Sequence, residues 1–351
     1  MSKSKEESLW RACTHGDLEI VRKLADDPAV DVNWVGFDRG DTPLHRACRF
    51  GWLEIMKVLL AHPKFDLTKR NKGRGTPFDL ACYSGQREVV SLLLADPRID
   101  PNEADDEGYT PLFMACQEGR KEVVLLLLAD PRVDPSKPLK SQTTPFFIAC
   151  ENGHKEVVSL MLADPRIDPD KPMNNQTTPL WFASQNGHLV VAQHLLASAK
   201  EIDTKRRSHF KNRTAAEQGR AMGERTKGTN DTDEDHQRKK ANGPFCASLI
   251  DEYEHDPVAV RHRLRRLPGL REYFIGHLFA LVVFHSDSFV VINERLAHPD
   301  TKRFFKITSQ LPLDLQMVLC NRIFGSPRDI IHSRDSEPGF QLLTRTTTWQ
   351  Q

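Results

Sequence analysis

The chain has 351 residues, 39% hydrophobic and 28% charged, enough for two or three folded units of ordinary soluble composition. Its 49 Lys and Arg nearly cancel its 48 Asp and Glu, for a formal net charge of +1. That balance argues against binding that rests on neutralising many nucleic-acid phosphates, and against a bulk disordered tail of one charge sign. An odd count of seven cysteines and a start, MSKSKEESLW, without an apolar signal region point to a reducing compartment. A cytoplasmic protein is expected; the basic runs Lys205-Arg206-Arg207 and Arg238-Lys239-Lys240 are compatible with nuclear entry.

In chain order the first signal is a repeat. Thr42-Pro43-Leu44-His45-Arg46-Ala47-Cys48 returns as Thr76-Pro77-Phe78, Thr110-Pro111-Leu112, Thr144-Pro145-Phe146 and Thr178-Pro179-Leu180, always 34 residues on. Six residues after each Thr stands Cys48, Cys82, Cys116, Cys150 or Ser184, and nine after stands a glycine, from Gly51 to Gly187. An earlier unit keeps Leu9, Ala12, Cys13 and Gly16; a later, decayed one keeps Thr214, Ala215 and Gly223. Six clear units and one decayed unit are expected over residues 6–223.

Each unit has a physical reading. Thr caps a helix by accepting from an orphan backbone N–H, and Pro suits the first helical position, where its missing donor costs nothing. Small and apolar residues at helical spacing follow, and Gly closes this short helix. A second apolar stretch, such as Lys155 to Leu162, has the period of a second helix, ended by Asp164-Pro165. A unit of this size cannot bury its own apolar face, so the units must stack.

Thr42-Pro43-Leu44-His45-x-Ala47 and Asn152-Gly153-His154-x-Glu156-Val157-Val158 resemble the ankyrin repeat. The resemblance implies an all-α fold: an ankyrin-repeat helical solenoid with hairpin loops, followed by a smaller, mostly helical C-terminal region. There are departures. The His of the family's opening survives at His45, while that slot holds Trp10, Asp79, Phe113, Phe147 and Trp181 elsewhere. The hairpin Gly present at Gly40 and Gly108 is replaced by Arg74, Gln142 and Gln176, so those three loops are expected to differ from the usual tight turn.

No catalytic, cofactor or metal constellation is expected. The repeated cysteines occupy one inner-helix position of successive units, too far apart for disulfides and without short zinc-ligand spacings. His154 and His188 fall on a structural slot of the repeat. Gly73-Arg74-Gly75 lacks the Gly, Lys and Ser/Thr of a phosphate loop, and Asp231, Asp233, Glu234 and Asp235 lack the Gly and closing Glu of a calcium loop.

Residues 224–243 are nearly free of apolar side chains and read as a flexible polar linker. Residues 244–351 show helical periodicity in Leu249 to Leu267, Leu270 to Phe284 and Leu315 to Phe324, punctuated by Pro257, Pro268 and Pro312. The apolar run from Tyr273 to Phe284 falls short of the roughly 20 residues of a membrane span. Leu311-Pro312-Leu313-Asp314-Leu315 looks like the opening of an F-box. Leu311, Leu315, Val318, Leu319 and Ile323 would then dock a ubiquitin-ligase adaptor; a plain core helix is the competing reading.

Partner contacts are expected on the hairpin tips and first-helix ends, as ankyrin proteins use them. The residues are Arg49, Phe50, Tyr83, Tyr109, Gln117, Glu118, Glu151, Asn152, Gln185 and Asn186, with tip residues Arg39, Lys72, Glu107 and Lys140. The expected function is a non-enzymatic protein-interaction scaffold, or alternatively the substrate receptor of a ubiquitin ligase.

Overall fold

A computed structural model describes residues 4–271 apart from 38, 199, 227–230 and 269. The F-box-like segment 311–323 and the apolar run 273–284 lie outside the described residues. Within them the chain is helical. Helices α1 (Lys5–His15) and α2 (Leu18–Ala25) are followed by the pairs α3 (Pro43–Phe50) and α4 (Leu53–Ala61), α5 (Pro77–Ser84) and α6 (Arg87–Leu94), and α7 (Pro111–Gln117) and α8 (Lys121–Ala129). Then come α9 (Pro145–Asn152) and α10 (Lys155–Ala163), α11 (Pro179–Gln185) and α12 (Leu189–Ala197), α13 (Ala215–Gly223), α14 (Asp233–His255) and α15 (Pro257–Leu264). The chain divides into two compact units between Ala149 and Cys150, within α9.

The local chemistry of each pair is the one its sequence dictates. Thr42, Thr76, Thr110, Thr178 and Thr214 each accept from the backbone N–H three residues on, at 3.1–3.4 Å, and all but Thr214 are followed by Pro at the first turn. Thr42, Thr76 and Thr214 complete the reciprocal capping box with His45, Asp79 and Glu217. Among the second helices, α2 is capped by Asp17, which accepts from Ile20 N at 3.2 Å, while α4, α6, α8, α10 and α12 lack a side-chain cap and rely on their apolar faces.

In the first unit α1, α3, α5 and α7 pack in one row and α2, α4, α6 and α8 in another. Cys13, Cys48, Cys82 and Cys116 sit at equivalent positions of the first row, each with no exposed surface. Burial pushes their thiols well above the usual range, so they behave as small apolar residues. Ile55, Met56, Leu59, Val90, Leu93, Val124 and Leu127 fill the space between the rows. The Asp-Pro-Arg turns lock the second helices: Asp130 Oδ1 accepts from Arg132 Nε at 3.0 Å, and Arg132 Nη2 reaches back to Leu94 O of the preceding repeat at 2.7 Å.

The hairpin loops correct one expectation. Arg74, Gln142 and Gln176 adopt φ of 65°, 67° and 60°, the left-handed conformation of Gly40 and Gly108 at 70° and 96°. The loops close alike. Asn71 N donates to Gly75 O and Arg74 N to Asn71 O, as Asp105 N donates to Tyr109 O and Gly108 N to Asp105 O. Two backbone hydrogen bonds per tip outweigh the roughly 1–2 kcal/mol cost of a left-handed non-glycine residue.

In the second unit α10 packs on α12, α11 on α12 and α13, and α14 lies along α13 while touching α11, α12 and α15. The stretch expected as a flexible linker is helical from Asp233 onward, and α14 continues through Pro244. It packs without apolar side chains because glycines carry the crossing. A Cβ on Gly219 would stand 2.5 Å from Gly243 O, and one on Gly243 would stand 2.6 Å from Gly219 O. Polar groups do the rest: Arg238 Nε donates to Asn186 O and Asn242 Nδ2 to Gly187 O, both at 3.1 Å. No helix among the described residues is long and apolar enough to cross a membrane.

Candidate functional site

The slot three residues after the capping Thr, held by Trp10 in the first repeat, which has no such Thr, ties one repeat to the next where its side chain is a donor. Trp10 Nε1 donates to Asp41 O at 2.8 Å, His45 Nε2 lies 3.0 Å from Gly75 O, and Trp181 Nε1 donates to Arg213 O at 3.1 Å. Each acceptor is the carbonyl just before the next capping Thr. Thr42 N donates to His45 Nδ1 at 3.2 Å, which assigns the His45 proton to Nε2 and makes that nitrogen the donor. Burial lowers the His45 pKa and keeps the ring in this neutral form.

Asp79 breaks the pattern. Its Oδ2 takes the capping role, accepting from Thr76 N at 2.8 Å and Thr76 Oγ1 at 2.9 Å. A carboxylate has no proton for the next carbonyl, and Asp79 Oδ1 is buried without a hydrogen-bond partner. The residue is 3% exposed, and burial raises its pKa to about 6.

Asp79 lines an open pocket of about 380 Å³ in the first unit, within the range of ligand sites. Arg39 and Lys72, on successive hairpin tips, and Arg49, at the end of α3, bring three cations to its walls. Leu80, Tyr83 and Met114 supply the apolar lining. Arg49 Nε is also buried without a partner. Arg49 and Asp79 thus both border the concavity, each with one buried atom that lacks a hydrogen-bond partner.

The expected contact residues separate on this geometry. Arg49 and Tyr83 border the pocket, and Tyr83 is 38% exposed. Phe50 is 42% exposed, but Arg46 stacks between it and Trp10, with its guanidinium 5.1 and 4.5 Å from the two rings. Tyr109 is half-buried edge-on against Phe113, 5.1 Å between centroids. Gln117 and Glu118 are half-buried and bonded to each other at 3.2 Å.

In the second unit Asn152 is exposed and Glu151 half-buried, with a carboxyl whose pKa burial raises. The Glu151 carbonyl accepts from Asn186 Nδ2 at 2.8 Å, with His188 Nε2 at 2.9 Å. Gln185 Oε1 accepts from Gln218 Nε2 at 3.2 Å, so Gln185 and Asn186 serve the packing of their own unit. Asp79, Leu80 and Met114 were not among the expected contacts. The available signal was the acid at a buried helix position in register with His45.

The comparisons with known proteins agree with this architecture. The family description "Ankyrin repeats" matches in three copies, over residues 9–105, 75–138 and 130–207. The human ASB11 ankyrin repeat domain superposes with a TM-score of 0.53 at 22% identity, covering 66% of this chain and 96% of that one. The ankyrin repeat domain of Bcl-3, described as a unique member of the IkappaB protein family, gives 0.51 at 24% identity, covering 60% and 92%. No curated protein matches the chain. The capped helix pairs, the left-handed hairpin tips and a family match over more than half the sequence lead to one conclusion: the chain belongs to the ankyrin repeat family.

Proposed function

We propose that this chain is a protein-interaction adaptor whose first unit holds a partner on the face formed by its hairpin tips and first-helix ends. Ankyrin repeats are generally protein-interaction modules, and their stacked helix pairs leave tips and helix ends free for contacts. The observation that carries the reading is the pocket beside Arg49 and Tyr83, which combines exposed aromatic surface with basic side chains at its walls. Arg49, Phe50, Tyr83, Tyr109, Gln117 and Glu118 form the first contact set we assign. Glu151 and Asn152 belong to a second, weaker set, since Gln185 and Asn186 are already engaged by their own unit.

The test is cross-linking mass spectrometry on the full chain in its native cells, repeated with Phe50→Ala and Tyr83→Ala together. The expected result is partner cross-links near the tips of the first unit that vanish in the variant while its thermal melt stays intact. Unchanged partners with an intact melt would refute the assignment.

A further inference from the structure

Asp79 puts an acid into a slot where other repeats place a donor. The residue is 3% exposed, and its Oδ1 has no hydrogen-bond partner. Buried polar atoms left unpaired are rare, and each needs a physical account. The repeat register supplies one. His45 Nε2 bonds Gly75 O, and Trp10 and Trp181 donate to the matching carbonyls Asp41 O and Arg213 O. The carbonyl in the same register from Asp79 is that of Tyr109, just before Thr110. Gly75 O accepts from Asn71 N as well as from His45, and Tyr109 O likewise accepts from Asp105 N. A carbonyl oxygen has two lone pairs, so Tyr109 O can accept once more.

An ionised Asp79 has no proton for that bond. Protonation at Oδ1 makes the side chain a donor and leaves Oδ2 to go on capping Thr76 N. Burial favours this neutral form and raises the Asp79 pKa to about 6, against the opposing hydrogen bonds from Thr76. The surrounding charges do little to reverse it. Arg70 and Glu103 act on Asp79 with opposite sign and are paired with each other at 2.8 Å. Arg39, Arg49 and Lys72 border the adjoining pocket. Of the helices packed on α5, α3 carries the neutral His45 and α7 the protonated thiol Cys116; Cys82, on α5 itself, is protonated too.

We propose that Asp79 is an acid-engaged latch between the third and fourth repeats. When protonated, its Oδ1–H donates to Tyr109 O and ties the repeat of α5 to that of α7. When ionised, it withholds the bond, and the junction has one inter-repeat hydrogen bond fewer. The response is local, because Trp10, Phe113, Phe147 and Trp181 in the same slot do not titrate. Tyr83 of α5 and Met114 of α7 line one pocket across this junction, so the latch sets how firmly its two walls are joined.

The test is an NMR titration of the full chain from acid to neutral pH, with isotope labels in Asp carboxyls, Tyr carbonyls and Thr amides. Tyr109-Thr110 is the only Tyr-Thr step in the sequence, so a single carbonyl–amide cross-peak reports the Tyr109 carbonyl. The Asp79 carboxyl, identified by its loss in Asp79→Asn, and the Tyr109 carbonyl should shift together with one midpoint near 6. Two uncharged variants separate the bond from simple loss of charge. Asp79→Asn keeps a donor and should hold the Tyr109 carbonyl at its acid position at every pH. Asp79→Leu has none and should hold it at its neutral-pH position. Three results overturn the inference: a Tyr109 carbonyl that stays in place while Asp79 titrates, an Asp79 midpoint in the ordinary range near about 4, or one carbonyl position in both variants. Should either variant fail to fold, the two midpoints in the parent chain decide alone.

Discussion

Asp79 shows how burying an ionisable side chain costs stability. Its folded pKa of about 6 lies above the ordinary 3.8, so the ionised form is the one the fold disfavours. The sign follows: stability is undiminished below about pH 4 and is lost as pH rises through 6. Asp79→Asn should therefore raise the stability of the first unit at pH 7 by on the order of 2–3 kcal/mol, with the gain shrinking below about 1 kcal/mol at pH 4. Denaturant melts at the two pH values check this, and an equal effect at both would refute it. His194 has the opposite sign. It is 7% exposed and bonded to Ser159, and burial drives its pKa to about 4. Its neutral ring supports the second unit fully above about pH 6.5, and that support fades as pH falls through 4. His194→Gln should flatten the acid limb of the second unit's stability profile, measured by hydrogen exchange of α12 amides. At this scale the sequence exposed the slot and its six occupants. It did not expose that Trp10, His45 and Trp181 all donate to the same carbonyl, because that acceptor belongs to the next repeat.

At the scale of elements, what could be read depended on which atoms do the packing. The Thr-Pro starts, glycine ends and apolar stripes of α3 to α12 are side-chain signals, and they place those helices well. The hairpin tips at Arg74, Gln142 and Gln176 looked irregular because glycine is the ordinary sign of a left-handed residue, yet the backbone bonds across each loop impose the conformation regardless. The first half of α14 looked like linker for a related reason. Hydrophobic periodicity cannot register a face made of Gly243, backbone carbonyls and the stems of Arg238 and Asn242. The α13–α14 crossing therefore gives a sharp prediction. Gly243→Ala adds a helix-favouring residue, worth up to about 1 kcal/mol in an isolated helix. Here its methyl would collide with Gly219 O, a backbone atom that cannot swing away, so a net loss of about 1–3 kcal/mol is expected, as for other overpacked sites. An urea melt showing Gly243→Ala at or above parental stability would mean that the two helices do not meet there.

For the whole molecule, repeat physics sets what each unit requires. Stacked repeats share their interior with their neighbours, so a terminal repeat leaves an apolar face that something must cover. In the second unit α14 and α15 pack on α12, and α14 also on α13, burying Cys246, Leu249, Ile250, Val260 and Leu264. Leu195 and Leu196 of α12 have no exposed surface, which places α14 and α15 in the role of a cap for the stack. The decayed last unit makes sense in these terms: it keeps its capped first helix, Ala215–Gly223, and α14 stands beside it where a short second helix would. The repeat period announces such a stack but not its cap, since a cap is selected to differ from the repeats it closes. A chain ending at Gly223 should therefore lose amide protection throughout α11, α12 and α13, while α3 and α5 of the first unit keep theirs, because repeats couple through nearest neighbours and local stabilities differ. The unfolding midpoint of the second unit should fall by roughly 5–10 °C, the shift expected for a few kcal/mol in a domain of this size. Full retention of protection in α11 to α13 would show that α14 and α15 fold on the stack without supporting it.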